Sequence, residues 1–125
     1  MKDLNIKVCK KCGAMIVVCE ECKCDNCGIR CCGEQLEKIM PTSVECSVEK
    51  HKPIYEVAEN YIVAKVPHVM EKEHYIEWMA IVSDKVQGRK VFTAGEEAKA
   101  IFPYVKGSKI YAYCNKHGLW ETTVE

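Results

Sequence analysis

The sequence predicts an all-β sandwich preceded by a small cysteine-rich module that a metal must organise. Three observations carry this. Eight of the ten cysteines lie between Cys9 and Cys32. From about residue 49 onward, short runs of β-branched and aromatic residues alternate with glycine-bearing turns. Helical periodicity is weak throughout, the best helical stretch being one or two turns around Gly95 to Ala100.

Taken in order, residues 1–36 hold few bulky apolar groups and cannot bury a core of their own. Residues 37–48 read as a connector broken by Pro41, Thr42 and Ser43. Ile54 to Ala58 and Tyr61 to Val66 are β-rich runs joined by Glu59-Asn60, a hairpin signal. Tyr75 to Val82, Lys90 to Thr93, Ala98 to Val105 and Lys109 to Cys114 complete the predicted strands. Gly88, Gly95, Gly107 and Gly118 punctuate them. Trp78, Trp120, Ile76, Tyr111 and Tyr113 are expected in the core, and Cys46 as a buried or free thiol.

With 125 residues the chain has the size of one domain, or of one domain with an appendage. Eighteen basic and eighteen acidic residues cancel and no basic tract appears, which argues against nucleic acid as a partner. No apolar run is long enough to span a membrane. The charged start MKDLNIKVCKKCG does not read as an export signal, so a cytoplasmic protein with reduced thiols is expected. Paired C-x-x-C spacing then reads as metal ligation rather than as a disulfide framework. Two knuckles, Cys9-Cys12-Gly13 and Cys24-Cys27-Gly28, each place a glycine where backbone amides can turn toward the sulfurs. Eight thiols could hold two sites or an iron–sulfur cluster, or Cys19, Cys22, Cys24 and Cys27 could bind nothing.

The chain has four histidines, His51, His68, His74 and His117, each at a predicted strand edge or turn. Loop histidines on a β scaffold can converge on one ion. Cys114 precedes His117 by three residues, a C-x-x-H spacing that lets a thiolate and an imidazole share a metal. Any one of these histidines alone would more readily be a solvated surface residue; the flanking segments change that reading.

Those segments are Glu49-Lys50-His51 with Pro53, then His68, then His74-Tyr75-Ile76-Glu77-Trp78, then Cys114-Asn115 with His117-Gly118-Leu119-Trp120. In order and approximate spacing they resemble the superoxide reductase signature of desulfoferrodoxins and neelaredoxins, over roughly residues 36–125. One departure is Val69 after His68, where the family usually has proline; a small shift of that loop is expected. The resemblance implies an immunoglobulin-like β-sandwich over residues 37–125. It implies a mononuclear non-haem iron held by four equatorial imidazoles, His51, His68, His74 and His117, and an axial thiolate, Cys114. The activity implied is one-electron reduction of superoxide to hydrogen peroxide, a detoxification step of anaerobes under oxidative stress. Lys50 would attract and protonate the anion, and Glu49 would occupy the sixth position in the oxidised state. A rubredoxin-like electron donor and a homo-oligomer, dimer or tetramer, are implied as partners.

Residues 1–36 resemble the desulforedoxin-like module of the same family, which binds a second iron in a four-thiolate site. The matching positions are Cys9, Cys12, Cys31 and Cys32, with zinc as the other metal for such a site and Cys24 and Cys27 as alternative ligands. The loop between Cys12 and Cys31 is eighteen residues, slightly longer than the family leads one to expect. Two other functions compete with a reductase: an iron electron carrier, and a zinc-stabilised binding module.

Overall fold

A computed structural model describes residues 3–24, 28–42 and 51–125 of the chain. Cys27, Cys46, Glu49 and Lys50 lie outside the described residues. The chain divides into two compact units, one spanning Leu4–Met40 and the other containing the sequence from Pro41 to Glu125.

The first unit is built from two short hairpins. β1 (Ile6–Val8) pairs antiparallel with β2 (Met15–Val17), and β3 (Arg30–Cys31) with β4 (Glu34–Gln35). The β1–β2 turn is closed by Cys9 N–H donating to the Ala14 carbonyl and Gly13 N–H to the Cys9 carbonyl, both at 2.8 Å. β3 and β4 are joined by Cys32-Gly33, whose φ angles are 53° and 79°. Two successive positive φ values are what a two-residue hairpin with native twist needs, and glycine meets that at no steric cost. Among the described residues the buried apolar side chains here are Leu4, Ile6 and Leu36, together with Cys9, too few to drive folding by burial alone.

Among the described residues the second unit has seven strands in two antiparallel sheets. β5 (Ile54–Ala58), β6 (Tyr61–Lys65) and β9 (Lys99–Pro103) form one, in the order β5-β6-β9. β7 (Ile76–Val82), β8 (Gln87–Val91), β10 (Lys109–Cys114) and β11 (Gly118–Thr123) form the other, in the order β11-β10-β7-β8. Alternation supplies the inner faces. Ile62 and Ala64 of β6 and Ala100 and Phe102 of β9 share one buried cluster with Met79 and Ile81 of β7 and Ile110 and Ala112 of β10. This is the sandwich the sequence predicts. Pro103 is tolerated because β9 is an edge strand, paired to β6 alone.

Three local expectations are corrected. Gly95 to Ala100 forms no helix; it is a turn running into β9, with Glu96 N–H donating to the Thr93 carbonyl at 3.2 Å. The eighth strand is Gln87–Val91, not Lys90 to Thr93, because it is the return arm of a hairpin from β7 that pairs Val82 with Gln87. That hairpin is fixed by Ser83, whose Oγ accepts from Val86 N–H at 3.0 Å. β11, with the mixed sequence GLWETT, was not among the predicted strands. No described helix is long and apolar enough to cross a membrane.

Candidate metal centre

The fold of the second unit brings its four histidines and Cys114 into one cluster, with ligand atoms all within 4.8 Å of one another. Each arrives from a different place. Cys114 ends β10 and faces the buried side. It sits beside a register shift that pairs Cys114 with Ile76 but Tyr113 with Trp78, so Glu77 is the extra residue in β7. Such bulges re-aim neighbouring side chains. His117 lies in the turn from β10 to β11, which Gly118 closes at φ 80°, a left-handed conformation that suits glycine. His68 and His74 lie on the connection between β6 and β7, and His51 just ahead of β5.

The rings form a closed quadrilateral. Centroids are 4.8 Å apart for His51–His68, 4.6 Å for His68–His74, 4.9 Å for His74–His117 and 4.7 Å for His51–His117. His51 therefore stands opposite His74, and His68 opposite His117. His51 Nε2 and His74 Nε2 approach His117 Nδ1 to 3.0 and 3.2 Å. Two nitrogens bound cis to one ion at about 2.1 Å would stand about 3.0 Å apart. Cys114 Sγ lies 3.8 Å from His68 Nε2 and 3.7 Å from His117 Nδ1. Those two rings are diagonal corners, so the sulfur sits toward the axis of the square rather than on an edge. Four imidazoles and one thiol in this arrangement suit a transition metal such as iron.

Neighbouring groups hold the rings. His68 Nδ1 lies 2.6 Å from the Val69 carbonyl, which fixes Nδ1 as the donor and leaves Nε2 for a metal. Residue 69 contributes through its backbone oxygen, which valine supplies as well as proline. Trp120 stacks on His51 at 4.7 Å and 15°, and its Nε1 donates to the His117 carbonyl at 3.1 Å. The sequence marked Trp120 as core, and it is buried, but it also supports two ligands. Asn115 has a second bracing role that sequence reasoning did not assign. Its Oδ1 accepts from Tyr75 N–H and its Nδ2 donates to the Glu73 carbonyl, both at 3.0 Å. Both residues flanking His74 are thereby tied to the turn that carries Cys114 and His117. Burial pushes the Glu77 carboxyl up, and burial, helped by Glu77 and Cys114, does the same to the Tyr113 phenol.

The first unit holds a separate group, Cys9, Cys12, Cys31 and Cys32, with sulfurs within 4.8 Å. The Cys12–Cys31 and Cys31–Cys32 separations are 3.6 and 3.9 Å. The edge of a tetrahedron with metal–sulfur bonds of about 2.3 Å is about 3.8 Å. Backbone amides, that of Cys12 foremost and then Lys11, point to the Cys9 sulfur and bring its thiol down to about 6. Hydrogen bonding to Cys12 first, then to Cys9 and Cys32, pushes the Cys31 thiol up to about 12. The gathered set pairs the first knuckle with Cys31 and Cys32; Cys24 is not in it, and Cys27 lies outside the described residues.

Comparison with known proteins identifies the family. The family model described as Desulfoferrodoxin matches residues 34–123. A desulfoferrodoxin of Syntrophotalea carbinolica is 30% identical over 97% of each chain. The superoxide reductase of Treponema pallidum has the same fold, with a TM-score of 0.73 at 22% identity, over 97% of this chain and 98% of that one. The superoxide reductase (1Fe-SOR) of Giardia intestinalis is 28% identical with a TM-score of 0.56, covering 62% of this chain and 98% of its own. With the match extending over most of the sequence, the chain belongs to the desulfoferrodoxin family.

Proposed function

We propose that this protein is a superoxide reductase, reducing superoxide to hydrogen peroxide at a mononuclear iron held by His51, His68, His74, His117 and Cys114. The observation that carries this reading is the closed square of four imidazoles with one thiol against its diagonal corners. The similarity to a superoxide reductase described as 1Fe adds support. Iron supplies a reversible one-electron change between Fe(II) and Fe(III) when bound. The balance is one superoxide, one electron and two protons giving one hydrogen peroxide, so an external donor must return the electron; a rubredoxin-like protein fits that role.

The chain's own residues divide the remaining work. Neutral imidazoles would hold the ion without cancelling its charge, which favours approach of an anion. Cys114, fully buried, would donate electron density to a bound iron, as thiolates do in cysteine-ligated haem. His68, His74 and His117 are partly or largely exposed, so the histidine side is within reach of a small anion. Lys50, next to His51 in sequence, is assigned to draw in the anion and give up a proton; Glu49 is assigned as a carboxylate that competes with it in the oxidised form. Residues 1–36 are assigned as a desulforedoxin-like module whose Cys9, Cys12, Cys31 and Cys32 hold a second iron or zinc, and residues 37–125 as the neelaredoxin-like domain. A reducing, cytoplasmic setting suits so thiol-rich a chain, and a homo-oligomer is expected.

The test is anaerobic pulse radiolysis of the purified protein, with iron analysis and visible spectra. The expected result is one peroxide per superoxide, no oxygen release, and a visible ferric–thiolate band. Oxygen release would indicate a dismutase, and a colourless zinc protein a binding module. Lys50→Ala should slow the reaction with superoxide by about tenfold or more while iron content stays constant. Unchanged kinetics would remove Lys50 from the mechanism.

A further inference from the structure

Among the described residues β8 is an edge strand, paired with β7 alone. Its segment, residues 84–91, carries Lys85, Arg89 and Lys90 against a single acid, Asp84. Lys85 and Arg89 are exposed, and so are Val86 and Val91, at 37% and 62%. Cations on an edge strand guard it against pairing with another sheet. Guarding alone does not account for the aromatic row behind them. Val91 lies directly opposite Trp78 of β7, and Trp78 directly opposite Tyr113 of β10. The Trp78 and Tyr113 rings stack at 5.4 Å and 8°, and the Arg89 guanidinium lies over the Trp78 ring at 5.8 Å. Tyr113 is joined by one peptide bond to Cys114, whose side chain points to the opposite face of β10 and into the five-donor group. The row therefore runs from an open sheet edge to the sulfur of the site.

We propose that the β8 edge docks a small acidic protein carrying a one-electron centre, and that Trp78 and Tyr113 lead its electron to Cys114. This rests on the reading that iron occupies the five-donor group. Lys85 and Arg89 pair with carboxylates of the donor around an apolar contact at Val86 and Val91. One electron leaves the donor's reduced centre and one is gained at the iron site; no bond forms or breaks. Electron transfer weakens steeply with distance, and most steeply across gaps. Two stacked rings, joined through one peptide to the ligand sulfur, leave no such gap between β7 and that sulfur. A thiolate shares electron density with its metal, which makes Cys114 the fitting point of entry.

The test mixes ferric, iron-loaded protein anaerobically with reduced rubredoxin, an acidic one-electron carrier, and follows bleaching of the ferric–thiolate band by stopped flow. The rate should fall with added salt. Lys85→Glu combined with Arg89→Glu should lower it about tenfold or more at low salt and flatten that dependence. Reduction by dithionite, which needs no docking face, should keep its rate in the same variant. Tyr113→Leu should lower the limiting rate at saturating donor several-fold, Trp78→Leu should do the same, and Tyr113→Phe, which keeps the ring, should restore it. Iron content and the ferric spectrum are checked in each variant, and the exposed charge reversal decides the docking face even where a ring variant loses iron. An unchanged rubredoxin rate after charge reversal would overturn the docking face, and an unchanged limiting rate in the ring variants would overturn the route. A shift of the charge-reversed protein from dimer to monomer in sedimentation, with its rate unchanged, would assign the edge to a second copy of this chain instead. No superoxide is present, so the result is independent of whether the protein reduces superoxide.

Discussion

The two units gather metal-binding side chains by opposite means. In the sandwich, ligands from positions 51, 68, 74, 114 and 117 meet because a packed core aligns the strands that carry them. In Leu4–Met40, ligands meet because two tight turns, Cys9 to Gly13 and Cys31 to Glu34, fold locally. One site sits on a scaffold that a buried core holds together. The other has few buried apolar side chains behind it among the described residues, so a metal on its four sulfurs would have to serve as its core. The difference teaches that similar coordination chemistry can sit on a stable scaffold or itself be the scaffold.

Metal removal should separate the two most strongly. Chelation should unfold Leu4–Met40, since a structural thiolate site supplies about 10–16 kcal/mol, while amides of β7 and β10 stay protected in hydrogen exchange. Protection of β1 and β2 in metal-free protein would break the comparison. The converse change is Met79→Ala, at a fully buried site in the sandwich cluster. It should cost about 2–5 kcal/mol in denaturant unfolding of the second unit without altering metal content of the first. A cost close to zero would mean that this core does not hold the histidine site.

A smaller effect sharpens the picture inside the sandwich. Asn115→Ala removes the bonds to Glu73 and Tyr75 that fix the His74 loop. Affinity for the metal should fall about 10–100-fold, as for other groups that orient ligands from behind, with metal titration as the readout. Unchanged affinity would show that His74 is held by its own loop. The smallest effect lies in the first unit. Lys7 and then Asn5 hold the Glu21 carboxyl below its ordinary 4.5. A depressed carboxyl stabilises the fold above the unfolded value and loses that contribution as pH falls through the folded one. Glu21→Gln should therefore weaken the acid dependence of the first unit below about pH 4.5, read by circular dichroism of the metal-loaded protein. An unchanged acid limb would assign that dependence to other groups.

Much of this architecture was legible along the chain. The hairpin at Glu59-Asn60, the run ending at Cys114 and the sheet-forming alternation are local properties of neighbouring residues, and each appears in the fold. β8 and β11 were harder because their residues are mostly polar or mixed. They are strands because β7 and β10 offer them hydrogen-bonding edges, a long-range fact.

The sequence by itself determined the donors: four imidazoles and one thiol in the larger unit, a surplus of thiols in the smaller, and glycines where turns need positive φ. It could do so because donor chemistry and turn preference belong to single residues and their neighbours. Only the tertiary structure decided the rest. It set His51 opposite His74, laid Cys114 across the diagonal, and recruited Trp120 and Asn115 as supports. It also left Cys19, Cys22 and Cys24 out of the four-sulfur group. These are distances between residues remote in sequence or divided by a turn. Packing and strand register set such distances, and no pattern of neighbours along the chain encodes them directly.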